Sequence, residues 1–160
     1  GKIVAETLVE AVEKGDYSAR TLWPSCRGFN TTVGCIHASH DVLRIFLQGL
    51  YNEEADFGMA NGIITEQDVK DMSSGRPLNL SLTEGIHRLL TGAGKAQLLT
   101  KLLRLPGLLK EAGDLYSGFP SEPGPVFQAW KQRDLALHRR AHDQVGGTAL
   151  AKAMASARGS

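Results

Sequence analysis

At 160 residues and 17.2 kDa, the chain is the size of one domain and long enough to bury a core without disulfides or a structural metal. With 42% hydrophobic and 22% charged residues it is neither disordered nor a coiled-coil rod. No apolar run approaches the ~20 residues that a membrane-spanning helix needs. The net charge of +1 conceals an asymmetry: residues 1–80 carry 7 Lys/Arg against 11 Asp/Glu, and residues 81–160 carry 11 against 6. An acidic half and a basic half can cancel within one fold, pair between copies, or offer a basic face to an anionic partner.

Ile3, Val4, Leu8, Val9 and Val12 recur at helical spacing, with Glu6, Glu10 and Glu13 on the other side and Gly15 as a stop. Residues 16–30 contain Pro24 and Gly28 and read as an irregular segment. A second helix is expected over 36–51. There Val42, Leu43, Ile45, Phe46, Leu47 and Leu50 cover more than one face, the mark of a central helix. Thr65 and Ser81 each precede an acidic residue three places on and read as helix starts. Residues 95–116 carry a leucine stripe at 98, 102, 105 and 109, widened by Leu99 and Leu103, with a break or kink at Pro106.

Three prolines and two glycines make 117–125 a linker, and Pro125 suits the first position of a helix over 125–143. Gly146-Gly147 interrupts, and an Ala-rich helix over 148–157 comes next. No strand run and no solenoid repeat stands out. The expectation is therefore all-α: a bundle of six to seven helices, the last two hung on a Pro/Gly linker. Its parts are a helical core at 1–116, the linker at 117–125 and a C-terminal extension at 126–160, packed on the core or on a partner subunit.

Two groups of residues could carry chemistry. Cys26, Cys35, His37, His40 and Asp41 lie close in sequence, and His37, His40 and Asp41 share a helix face. Imidazole and thiolate are zinc ligands, so His37, His40 and Asp41 are the candidate metal residues, joined from another helix by His138, His142 and Asp143. The His40-Asp41 doublet resembles the ligand pair of helical metal-dependent phosphohydrolases of the HD type. The resemblance covers two residues, with Val42-Leu43-Arg44 where a glycine-containing turn would come. Cys26, beside Arg27, suits a thiol nucleophile. The alternative is histidines that cap and hydrogen-bond, with the cysteines acting as small apolar residues.

The second group is the basic helix with Lys131, Arg133, Arg139 and Arg140, whose Phe127, Trp130, Leu137 and Ala141 form an apolar stripe. With Lys95, Lys101, Arg104 and Lys110 it would give RNA or single-stranded nucleic acid a basic face. Phe119, Phe127 and Trp130 are the candidate protein-binding aromatics. Gly92-Ala93-Gly94-Lys95 lacks the first glycine and the Ser/Thr of a phosphate-binding loop, so a nucleotide site is rejected.

These features point first to a non-enzymatic interaction module, structural or regulatory and self-associating as a homo-oligomer, with no cofactor. An RNA-binding coat or packaging protein stands second, and a metal- or thiol-dependent hydrolase third. The opening Gly1-Lys2-Ile3-Val4 has no secretory layout, and with two cysteines the expected location is cytoplasmic. The sequons Asn30-Thr31-Thr32 and Asn79-Leu80-Ser81 are the whole case for secretion.

Overall fold

The computed structural model describes residues 1–61, 65–67, 70 and 96–147. These residues are almost wholly helical, and no strand occurs among them. The helices are α1 (Lys2–Lys14), α2 (Ala19–Phe29), α3 (Cys35–Gln48), α4 (Asn52–Ala60), α5 (Ala96–Ser117) and α6 (Pro125–Ala141). Wider, π-type turns continue α2 into α3 at Asn30–Gly34 and extend α6 at His142–Gly146. The expected starts at Thr65 and Ser81 and the Ala-rich helix of 148–157 lie largely or wholly outside the described residues.

α1 ends on Gly15, whose φ of 61° lets the chain turn back, with the Gly15 and Asp16 amides donating to the Val12 and Ala11 carbonyls. Residues 19–29, expected to be irregular, form the helix α2 instead. The Asp16 carboxylate accepts from the Ser18 amide at 2.9 Å and from the Thr21 hydroxyl, and Ser18 caps α2. The helix thus starts before Pro24, which forfeits an amide bond and crowds the carbonyl one turn earlier. Tertiary contacts outweigh that loss. The Trp23 indole donates to the Pro120 carbonyl at 2.8 Å and stacks on Phe119 at 5.6 Å between centroids.

α3 is central, as its multi-faced pattern predicts, with Ala38, Val42, Leu43, Ile45 and Phe46 buried. It packs against α5, which buries Leu98, Leu105, Leu108, Leu109, Ala112 and Leu115. At ~1.5–3 kcal/mol for each large apolar side chain removed from water, this contact is the main source of stability. The leucine stripe is core, although Leu103 is exposed. Helix α5 runs through Pro106 without a break. Ser39 donates to the Leu109 carbonyl at 3.0 Å, and Gly113 permits that approach.

The linker is anchored rather than loose. Phe119 and Pro120 are buried, and Phe119 joins Trp23, Tyr116, Phe127 and Trp130 in an aromatic cluster. The Trp130 indole donates to the Leu115 carbonyl at 2.9 Å. Phe119 and Trp130 are 7% and 9% exposed, and they hold α6 to the core.

The far end of the bundle closes on a buried charge. The Lys101 ammonium donates to the Gly49 carbonyl at 2.9 Å and to the Glu54 carboxylate at 3.1 Å. That carboxylate also accepts from the Tyr51 amide at 3.1 Å, which starts α4, a helix that residue periodicity alone does not reveal. Beside them Gly49 and Gly146 touch backbone to backbone, and a Cβ on Gly49 would fall 1.7 Å from the Gly146 oxygen. Lys101→Met should cost about 3–5 kcal/mol in urea denaturation, because it leaves the Glu54 charge buried alone. Lys101→Met/Glu54→Leu should recover most of that loss.

Candidate functional site

Asn30–Gly34, α3, the end of α5 and the last turn of α6 enclose a cleft of about 500 Å³. Its lining includes Phe29, Asn30, Gly34, His37, Ala38, His40, Asp41, Arg44, Tyr116 and His138. The π-type turns at its lip survive because Asn30, Thr31 and Thr32 side chains donate back to the carbonyls of Cys26, Arg27 and Gly28. Gly34 is buried there, where a Cβ would crowd Asn30 Oδ1 at 3.0 Å and Tyr116 at 3.4 Å.

His138 is the pivot. Its Nδ1 lies 3.0 Å from the Asp134 carbonyl oxygen and 3.3 Å from Asp134 Oδ1, and its Nε2 lies 3.2 Å from Asp41 Oδ2. Both ring nitrogens therefore face oxygen acceptors. Arg44 holds the other Asp41 oxygen, Nε at 2.8 Å and Nη2 at 2.7 Å, and donates through Nη1 to Gln48 at 2.7 Å. Asp134 Oδ1 is shut off from solvent and takes no well-formed hydrogen bond, with His138 Nδ1 beside it at 3.3 Å.

Tyr116 completes the floor, its ring edge-on to Trp130 at 5.0 Å. Its phenol is pushed up to about 12, first by burial, then by the Asp134 charge and the hydrogen bond to it, and then by Asp41. The phenol is accordingly a neutral donor at neutral pH.

His37, His40 and Asp41 thus stand at the cleft with His138 opposite, whereas His142 is absent from its lining. His37 and His40 meet edge-on, 6.4 Å between ring centroids. Among the described residues no three His, Cys, Asp or Glu side chains gather closely enough to hold a metal ion. Asp41 is engaged by Arg44 and His138 instead, which is the physical reason the expected zinc and HD-type centre is not formed there. Cys26 and Cys35 are free thiols, and neither lines the cleft.

The Lys and Arg residues of α6 lie outside the cleft lining. Lys131, Arg133 and Arg139 are exposed, Arg140 pairs with Glu111 from α5, and Lys101 is buried. Sequence reasoning missed Tyr116, Phe29, Asn30, Arg44 and Asp134. The one available signal was Asp134, four residues before His138, the spacing of an intrahelical pair.

No family model matches the chain. Over 132 residues it is 33% identical to the digeranylgeranylglycerophospholipid reductase of Sulfolobus acidocaldarius. The match takes in 82% of this chain and 29% of that protein, so the chain spans less than a third of its relative's length. That relative is an enzyme, which overturns the expectation of a non-enzymatic, self-associating interaction module. The similarity lends nothing to the RNA-binding coat protein or the metal- or thiol-dependent hydrolase. The expectation of no cofactor falls with them, since a reductase draws its electrons from a carrier that amino-acid side chains do not supply.

The Tyr116 environment sets a test. Its folded value lies above the ordinary phenol value of 10, so between pH 10 and about 12 the folded state binds more protons than the unfolded one. Stability from this group is complete below pH 10 and is lost as pH rises through that window. Phenolate absorbance should show one late-titrating tyrosine, absent in Tyr116→Phe, whose stability should fall less over the same range.

Proposed function

We propose that this chain is the helical, lipid-handling part of a reductase that acts on the geranylgeranyl chains of a glycerophospholipid. The observation that carries this reading is the 33% identity maintained over 132 residues of the relative. The cleft agrees with it in kind. Phe29, Gly34 and Ala38 give an apolar flank for an isoprenoid chain, and His138, Tyr116 and Asp41 give a polar floor.

The reducible groups of such a lipid are its carbon–carbon double bonds, and saturating one takes a hydride and a proton. A hydride carrier of the nicotinamide or flavin type would supply the two electrons. The described residues contain no strand and no glycine-rich strand-to-helix turn of the kind that seats a dinucleotide, so they do not fit that group. The chain's share of the work is to hold the lipid and to hold a proton. His138 is the candidate to handle that proton at the cleft, its ring oriented by Asp41 at Nε2 and by the Asp134 carbonyl at Nδ1. Tyr116, neutral well beyond physiological pH, adds a hydrogen-bond donor and no charge of its own to the floor beneath it.

The full-length gene product, given a reduced hydride carrier and digeranylgeranylglycerophospholipid, should yield lipid heavier by one H2 for each double bond saturated, read by mass spectrometry. Lipid of unchanged mass under all carriers would refute the reading. In that assay His138→Gln should lower kcat about a hundredfold, the low end of what a positioned proton donor contributes. Cys26→Ala, an exposed change outside the cleft, should leave it unaltered.

A further inference from the structure

The cleft has a direction. Because α2 continues into α3 through the π-type turns, Phe29, Gly34, Ala38, Asp41 and Arg44 line it in succession from one run of helix. At a rise of ~1.5 Å per residue, the lining extends about 15 Å along the axis from Gly34 to Arg44. Phe29, Gly34 and Ala38 make the first end apolar, and the Tyr116 ring closes on Gly34 there. Asp41 and the facing His138 hold the middle. Arg44 stands at the far end, and among the described lining residues it alone carries a permanent positive charge.

The guanidinium of Arg44 is tethered before any ligand arrives. Its Nε and Nη2 lie 2.8 and 2.7 Å from Asp41 Oδ1, and its Nη1 donates to Gln48 Oε1 at 2.7 Å. A guanidinium has five N–H groups, so these contacts leave one on each terminal nitrogen. The side chain is 52% exposed, and the two remaining donors lie in one fixed plane. Such a pair suits two oxygens of a phosphate, and tethering spares much of the rotamer entropy that a loose arginine would lose. Asp41 Oδ1 is engaged by Arg44 and Oδ2 by His138, so an incoming anion meets the guanidinium rather than a bare carboxylate.

We propose that the guanidinium fork of Arg44 is the subsite for the phosphate of the lipid and sets its direction in the cleft. The head lies at Arg44, and the isoprenoid chain passes His138 toward Phe29. This inference rests on the lipid-reductase reading, which supplies an amphiphile with one anionic and one apolar end. The gradient along the cleft, apolar at Gly34 and Ala38 and cationic at Arg44, selects this direction over the reverse. Turned round, the lipid would set its phosphate against Phe29 and Ala38 and its chain against a charged fork.

The test compares geranylgeranyl phosphate with geranylgeraniol, two single-chain probes that differ in the phosphate alone. Binding to the full-length protein is measured by isothermal titration in detergent, with inorganic phosphate as competitor. The phosphate ester should bind about tenfold more tightly than the alcohol. Arg44→Gln should erase that preference and leave geranylgeraniol binding unchanged, which also shows the variant to be folded. Arg44→Lys, which keeps the charge without the fork, should lose most of the preference too. Equal binding of the two probes by the parent protein, or a preference that survives in either variant, overturns the proposal. Weaker binding of both probes together in the two variants overturns it as well, since Arg44 would then only brace Asp41. Inorganic phosphate should displace the ester only at far higher concentration; displacement at equal concentration would reveal a site for free phosphate and overturn the lipid head as occupant. Binding of neither probe would remove the lipid reading and the subsite with it, whereas equal binding of both leaves that reading intact and removes the subsite alone.

Discussion

The ammonium of Lys101 is the interaction on which the arrangement of helices turns. It reaches from α5 to the last carbonyl region of α3 at Gly49 and to the first turn of α4 at Glu54, nearly out of contact with water. Two ions withdrawn from water are not in themselves stabilising, and an apolar pair of similar volume would do as well or better. What the pair does is restrict the alternatives. Any slip of α5 along α3 that preserved leucine contacts would strand a charge in the interior, so only one register satisfies both packing and electrostatics.

That register places the cleft. With α5 held against α3, Tyr116 comes beside Gly34, and α6, tied to α5 by the Trp130 indole, brings His138 to face Asp41. The polar floor therefore comes from three helices whose relative positions were settled elsewhere, by leucines, an aromatic cluster and one buried lysine. The rigidity of such a floor costs the site nothing extra, because packing has already met the entropy of ordering it.

Much of the architecture was legible in the residue pattern. The multi-faced apolar run of α3 announced a central helix, the leucine steps of α5 announced core, and Pro125 announced the start of α6. The region around Pro24 was misread because proline was weighed as a local breaker, whereas the Asp16, Ser18 and Thr21 cap and the Trp23 anchor decide the matter. The burial of Phe119 was not legible, because an aromatic inside a Pro/Gly-rich segment leaves no periodicity to detect. At the cleft, His37, His40 and Asp41 were visible as neighbours, but Tyr116 lies 75 residues beyond Asp41 and nothing in either segment names the other. The enzymatic reading itself came from similarity, since none of the catalytic spacings that sequence can display is present.

The contact of Gly49 with Gly146 has a bearing on how this chain can be re-engineered. Two main chains pressed together have no side chain between them that could yield, so the crossing works as a hard stop and not as a cushion. Transplanting α6 and the turn after it onto another helical scaffold would therefore require the recipient to offer a bare backbone at the matching point of its own central helix. The natural unit of exchange is the crossing pair, Gly49 with its helix end and Gly146 with its turn, and a chimaera that splits them has to rebuild the angle between the two helices from nothing.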